Sequence, residues 1–227
     1  MRSFQRGILA LGLLTVPLVF APAASADLLK ATGFADGSEK VSLVSPSFAS
    51  RDVNAGVFNL SPPSPGVLAY CIEIFQTINF GTLYSDYTTT SLASDGQITA
   101  VRKGEIAQLF HGFYAPSLTS STKTAAFQLA LWEILYETGP TLNVDGGDLV
   151  SRGVNYANTP NTSVGVISQA DTWLAGLGAF SSDVSGFIIY RSPDHQDQMR
   201  VPEPATWALV FAGLTTLAFI ARRRKRA

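Results

Sequence analysis

Hydrophobic positions change period along the chain. From Lys40 to Leu92 they fall in short, alternating or β-rich segments between turn residues. Alternation with a period of two predicts strands at Lys40–Val44, Val53–Leu60 and Val67–Phe75. The last is the clearest. Leu68, Tyr70, Ile72 and Ile74 take one face; Val67, Ala69, Cys71, Glu73 and Phe75 take the other. The Pro-rich piece 61–66 is a loop, and the Thr- and Tyr-rich stretch 82–92 reads as strand or loop. The spacing then becomes helical. Helices are predicted over Val101–Phe113, Lys123–Thr138 and Ile167–Leu177. The second stops at Gly139-Pro140, and its segment 125–132 is apolar on nearly every face, so it belongs deep in the core. A Gly/Asn/Asp-rich loop at 143–161 separates the second and third helices, and a last strand is expected at Gly186–Tyr190. Strands flanking a helical middle predict a single α+β domain and not a repeating βαβ array.

The two ends carry unbroken apolar runs. Arg2 and Arg6 precede the apolar stretch Gly7–Phe20, and Ala24-Ser25-Ala26 has the small residues of a cleavage site. This is the pattern of a signal peptide over residues 1–26, and it is too short for a good membrane anchor. The other end has Pro202-Glu203-Pro204, then Ala205–Ala221 with 17 uncharged residues, then five basic residues at 222–226. Residues 205–221 are expected to form a short transmembrane helix whose basic end stays in the cytoplasm. By itself this is an ordinary tail anchor. With Pro-Glu-Pro directly ahead of it, the segment 201–227 resembles the PEP-CTERM sorting signal. The resemblance implies a Gram-negative envelope, often of an exopolysaccharide producer. It also implies an exosortase, a membrane-embedded cysteine transpeptidase that cleaves near Pro-Glu-Pro. An inner-membrane intermediate would then pass to the cell surface or extracellular matrix.

Composition sharpens this picture. The chain has 227 residues, 46% hydrophobic and 15% charged, with a net charge of −1. Seven of its 16 basic residues lie in the two end segments. Residues 27–201 hold 9 basic and 16 acidic groups, a net of −7. An acidic exported body excludes nucleic acid as a partner. One cysteine excludes a disulfide scaffold, and one Cys with two His gives no zinc set, so no metal or cofactor is expected.

The lone Cys71 is either a small buried hydrophobe or a reactive thiol. Gln128 sits in the middle of the all-apolar helix, and a buried amide must be satisfied. It serves either a structural hydrogen bond or chemistry. A cysteine sulfur can attack a glutamine amide and expel ammonia, leaving an internal thioester. Tyr70-Cys71, followed 57 residues after the Cys by Gln128-x-Ala130-x-Trp132, resembles the Cys–Gln, TQxA-type thioester domains of bacterial surface proteins. The segments 109–114, 173–174 and 196–199 also resemble that family, so the likeness spans roughly residues 40–200. Phe127 stands where the family has Thr.

The resemblance implies roles. Cys71 is the nucleophile in assembly and the leaving group in coupling, and Gln128 supplies the acyl carbon. Trp132, one turn on, and Ala130 shield the bond, although core packing explains Trp132 equally well. The partner is an amine nucleophile on a surface or matrix. The event is single-use, so the resemblance implies an adhesin or cross-linker and not a turnover enzyme. The rival expectation is a passive structural protein of the exopolysaccharide matrix without a thioester. His111 reads as a capping or surface residue, His195 as solvated, and 145–148 as a turn without calcium-loop spacing.

Overall fold

The computed structural model describes residues 27–46, 48–62, 66–151 and 163–200. The signal peptide, the Pro-Glu-Pro motif and the helix expected at 205–221 lie outside the described residues. Among the described residues, no helix is long and apolar enough to cross a membrane.

Strands and helices coexist, as the changing hydrophobic period predicts. The strands are β1 (Asp27–Phe34), β2 (Glu39–Ser45), β3 (Phe48–Ala55), β4 (Phe58–Ser61), β5 (Val67–Cys71) and β6 (Tyr84–Ser91). After them come helices α1 (Ala100–Ser117) and α2 (Ser121–Tyr136), strand β7 (Val150–Ser151), helix α3 (Val164–Ala175), and strands β8 (Ile188–Arg191) and β9 (Gln198–Arg200). Six strands close an antiparallel barrel in the order β1-β4-β5-β9-β8-β6, with β6 pairing back to β1. A separate sheet has the order β3-β2-β7.

Two expected strands are corrected. Val53–Leu60 is not one strand. It breaks at Gly56-Val57 into β3 and β4, which belong to different sheets. A Cβ on Gly56 would lie 2.7 Å from the Gly37 carbonyl oxygen, so only glycine permits the close backbone approach there. Val67–Phe75 is also too long. The strand ends at Cys71, because Tyr136 pulls the next residues into a turn. Its hydroxyl donates to Ile72 O and accepts from Ile74 N–H, both at 3.2 Å.

Helix α1 starts at Thr99, whose side chain accepts from Arg102 N–H; α2 starts at Ser120, which accepts from Lys123 N–H. Every residue of α2 from Thr124 to Ile134 is buried. The helix packs against α1, α3 and the β2–β3 sheet, which explains its all-round apolarity. Phe127 is the hub of an aromatic core. Its ring lies 4.5 Å from Tyr70, 4.8 Å from Phe110 and 6.1 Å from Trp173. That packing fills the position where the resembling family carries a small Thr.

Candidate functional site

Three polar residues interrupt the buried run of α2, and each has a defined partner. Thr124 accepts from Val57 N–H and bonds the Tyr70 hydroxyl, both at 3.0 Å. Glu133 accepts from Asn143 N–H at 2.8 Å. Gln128 meets Cys71. Cys71 N–H donates to Gln128 Oε1 at 2.9 Å, and Gln128 Nε2 donates to Cys71 O at 2.7 Å.

Strand lengths explain why a glutamine fits there. Backbone groups of successive strand residues point to opposite neighbours. Ile72 N–H donates to Asp197 O at 3.0 Å, toward β9. The N–H and C=O of Cys71 therefore point toward β4. But β4 begins at Phe58, which pairs with Ala69, and reaches no further. Gln128 takes the vacated place and completes the ladder with its side-chain amide. Cys71 and Gln128 are 1% exposed each, so unpaired backbone groups here would be costly.

The thiol is held by the turn that follows. Cys71 S–H donates to Glu73 O at 2.7 Å, and Glu73 N–H lies 3.4 Å from Sγ. Burial pushes the thiol well above its ordinary pKa and the Glu73 carboxylate adds to the rise, while a Glu73 backbone bond and the nearby Trp132 indole N–H oppose it. In the resting geometry Trp132 Nε1 completes no hydrogen bond. Gln198 pairs directly with Cys71 across β5–β9, and its Oε1 is likewise buried and unpartnered.

Cys71, Gln128 and Trp132 line a cleft of about 490 Å³. Phe34, Phe58 and Phe80 form one wall; Phe34 and Phe58 stack at 4.8 Å. Phe80 is 48% exposed, so the apolar wall reaches solvent. Ala130 is fully buried on α2 and does not line the cleft.

The structure thus brings Cys71, Gln128 and Trp132 together. Glu73 and Tyr136 escaped the sequence reading as site residues because neither periodicity nor spacing marks them, whereas Gln198 lies in the segment 196–199 that carries part of the resemblance. His111 is exposed, with Nε2 2.9 Å from Asp183 O, as expected of a surface residue. His195 corrects its expectation. It is half-buried, its ring lies tilted against Tyr84 with centroids 4.1 Å apart, and it pairs with Asp86 at 2.9 Å. Ser192 Oγ lies 3.3 Å from the same Nδ1, so the three residues do not form a relay through opposite ring nitrogens. Among the described residues, no group of three or more His, Cys, Asp or Glu is placed to hold a metal.

Comparison with known proteins identifies the C-terminal end. Residues 200–225 match the PEP-CTERM protein-sorting motif. The motif marks an exported chain that an exosortase processes and sorts to the cell envelope. No curated protein and no solved structure matches the chain.

Proposed function

We propose that the exported body is a surface or matrix protein that joins Cys71 to Gln128 as an internal thioester and couples once to an amine nucleophile. The observation that carries this reading is the reciprocal pair of hydrogen bonds between Gln128 and Cys71. When sulfur adds to the amide carbon, negative charge develops on Gln128 Oε1. Cys71 N–H is already 2.9 Å from that oxygen. The departing nitrogen sits 2.7 Å from Cys71 O. The S–C bond forms, the C–N bond breaks, and the thiol proton leaves with the nitrogen as ammonia. Coupling reverses the roles. An amine adds to the acyl carbon, the C–S bond breaks, and the amine proton ends on sulfur. Each molecule acts once, so the protein works as an adhesin or cross-linker.

A second reading has its own support. Both polar atoms of Gln128 are satisfied without covalent chemistry, and burial withholds the thiolate of Cys71. On that reading the protein is a passive structural component of an exopolysaccharide matrix. Intact mass separates the two. A thioester gives a mass lower than the processed sequence by one ammonia. Cys71→Ala and Gln128→Ala each remove the deficit, and methylamine converts it to an adduct. A plain mass, with one thiol titratable after unfolding, overturns the thioester and leaves the structural reading.

A further inference from the structure

Sulfur must carry negative charge twice in the proposed chemistry, on attack and on departure. The site offers little solvent to bear that charge: Cys71 is 1% and Trp132 2% exposed. A thiolate needs donors in such surroundings. Glu73 N–H, 3.4 Å from Sγ, is one. The Trp132 indole is a donor only, and it is buried and completes no hydrogen bond in the resting state. It follows Gln128 by one turn of α2 and lines the same cleft as Cys71. An unpaired buried donor is costly to keep, and that cost is recovered if charge appears beside it.

We propose that the Trp132 indole N–H is the hydrogen-bond donor that takes up negative charge on Cys71 Sγ, both as the sulfur attacks Gln128 and as an amine expels it. The assignment rests on the thioester reading. At rest the thiol keeps its proton and donates it in a hydrogen bond to Glu73 O, 2.7 Å away. On attack this proton transfers to the departing nitrogen, and the sulfur meets the Glu73 and Trp132 N–H groups as its charge grows. On coupling the same two donors receive the leaving sulfur before the amine proton reaches it. The ring of Trp132 covers the bond from water, and its N–H does separate work at the sulfur.

Trp132→Phe keeps a ring and removes the donor. The full chain, wild type and variant, is compared by intact mass and by the rate of thioester opening in methylamine. The expected result is an ammonia deficit in both and opening slowed roughly 10- to 100-fold in the variant. In a Gln128→Ala background, ultraviolet titration of the free thiolate should show a higher thiol pKa once Trp132→Phe is added than before, which loss of packing alone does not produce. If the wild type shows the deficit but the variant opens within about twofold of its rate, the donor role is overturned and the thioester stands. If the wild type shows no deficit, the thioester itself fails and the donor role falls with it. Should Trp132→Phe not fold, wild-type chain labelled with 5-fluorotryptophan, a more acidic donor of the same shape, is expected to open faster. An unchanged rate overturns the donor role.

Discussion

Glu133 makes the domain's stability depend on pH in a direction opposite to most carboxylates. Its side chain is fully buried on α2. One oxygen accepts from Asn143 N–H at 2.8 Å, and Oε2 has no partner. Burial pushes the carboxyl from an ordinary 4.5 up to about 8. The Asn143 N–H and the charge of Arg102 oppose the rise; the charges of Glu137 and Asp171 add to it. Between those two pH values the folded protein holds a proton that the unfolded chain has lost. Stability from this group is therefore fully present below about pH 4.5, falls as pH rises, and is exhausted above about pH 8. At about 1.4 kcal/mol for each pH unit, the whole window is worth about 4–5 kcal/mol, a large share of a typical domain's stability. Asp171, raised chiefly by burial, pulls the same way.

Urea unfolding at a series of pH values, for wild type and Glu133→Gln, measures this directly. Glutamine keeps an acceptor for Asn143 N–H and carries no charge to bury. From about pH 5 to about pH 8 the wild type should lose about 3–4 kcal/mol, while the variant should stay within about 1 kcal/mol of flat. At the alkaline end the variant should be the more stable of the two. A flat wild-type profile, or the same slope in both proteins, would refute the assignment of the proton to Glu133.

Two further outcomes follow from the same structure. Gly147 has φ +90°, and a Cβ there would overlap Glu137 Oε2, the acceptor for Asp148 N–H. Gly147→Ala should cost about 2–3 kcal/mol in thermal unfolding, while Gly146→Ala, with nothing within 4 Å, should cost about 1 kcal/mol or less; equal effects would show that the overlap is not felt. Deleting residues 201–227 should abolish membrane retention and exosortase processing, read by fractionation and by mass of the exported product, and unchanged surface delivery would count against the sorting role of this segment.

How far the sequence discloses this fold depends on whether an element announces itself by burial. The three helices do: α1 and α3 by apolar residues at helical spacing, and α2 by a long run that is apolar on nearly every face. Strand β9 does not: its Gln198 is fully buried, and no hydrophobic pattern marks it. The break at Gly56 leaves only a faint mark, a shift of the apolar positions from Val53, Ala55 and Val57 to Phe58 and Leu60 as the chain passes from one sheet to another. The pairing of Cys71 with Gln128 is of a third kind. Each residue is odd in its own segment, and only a resemblance links them across 57 positions. The physical link is a mismatch of strand lengths, which no local pattern records. Because β4 starts opposite Ala69, the backbone of Cys71 lacks a strand on one side. A side-chain amide is the group that supplies both a donor and an acceptor there, and a glutamine from α2 reaches it. A leucine at 128 would orphan two buried backbone groups. Folding therefore holds the Gln128 amide against Cys71 through a contact that the barrel itself requires.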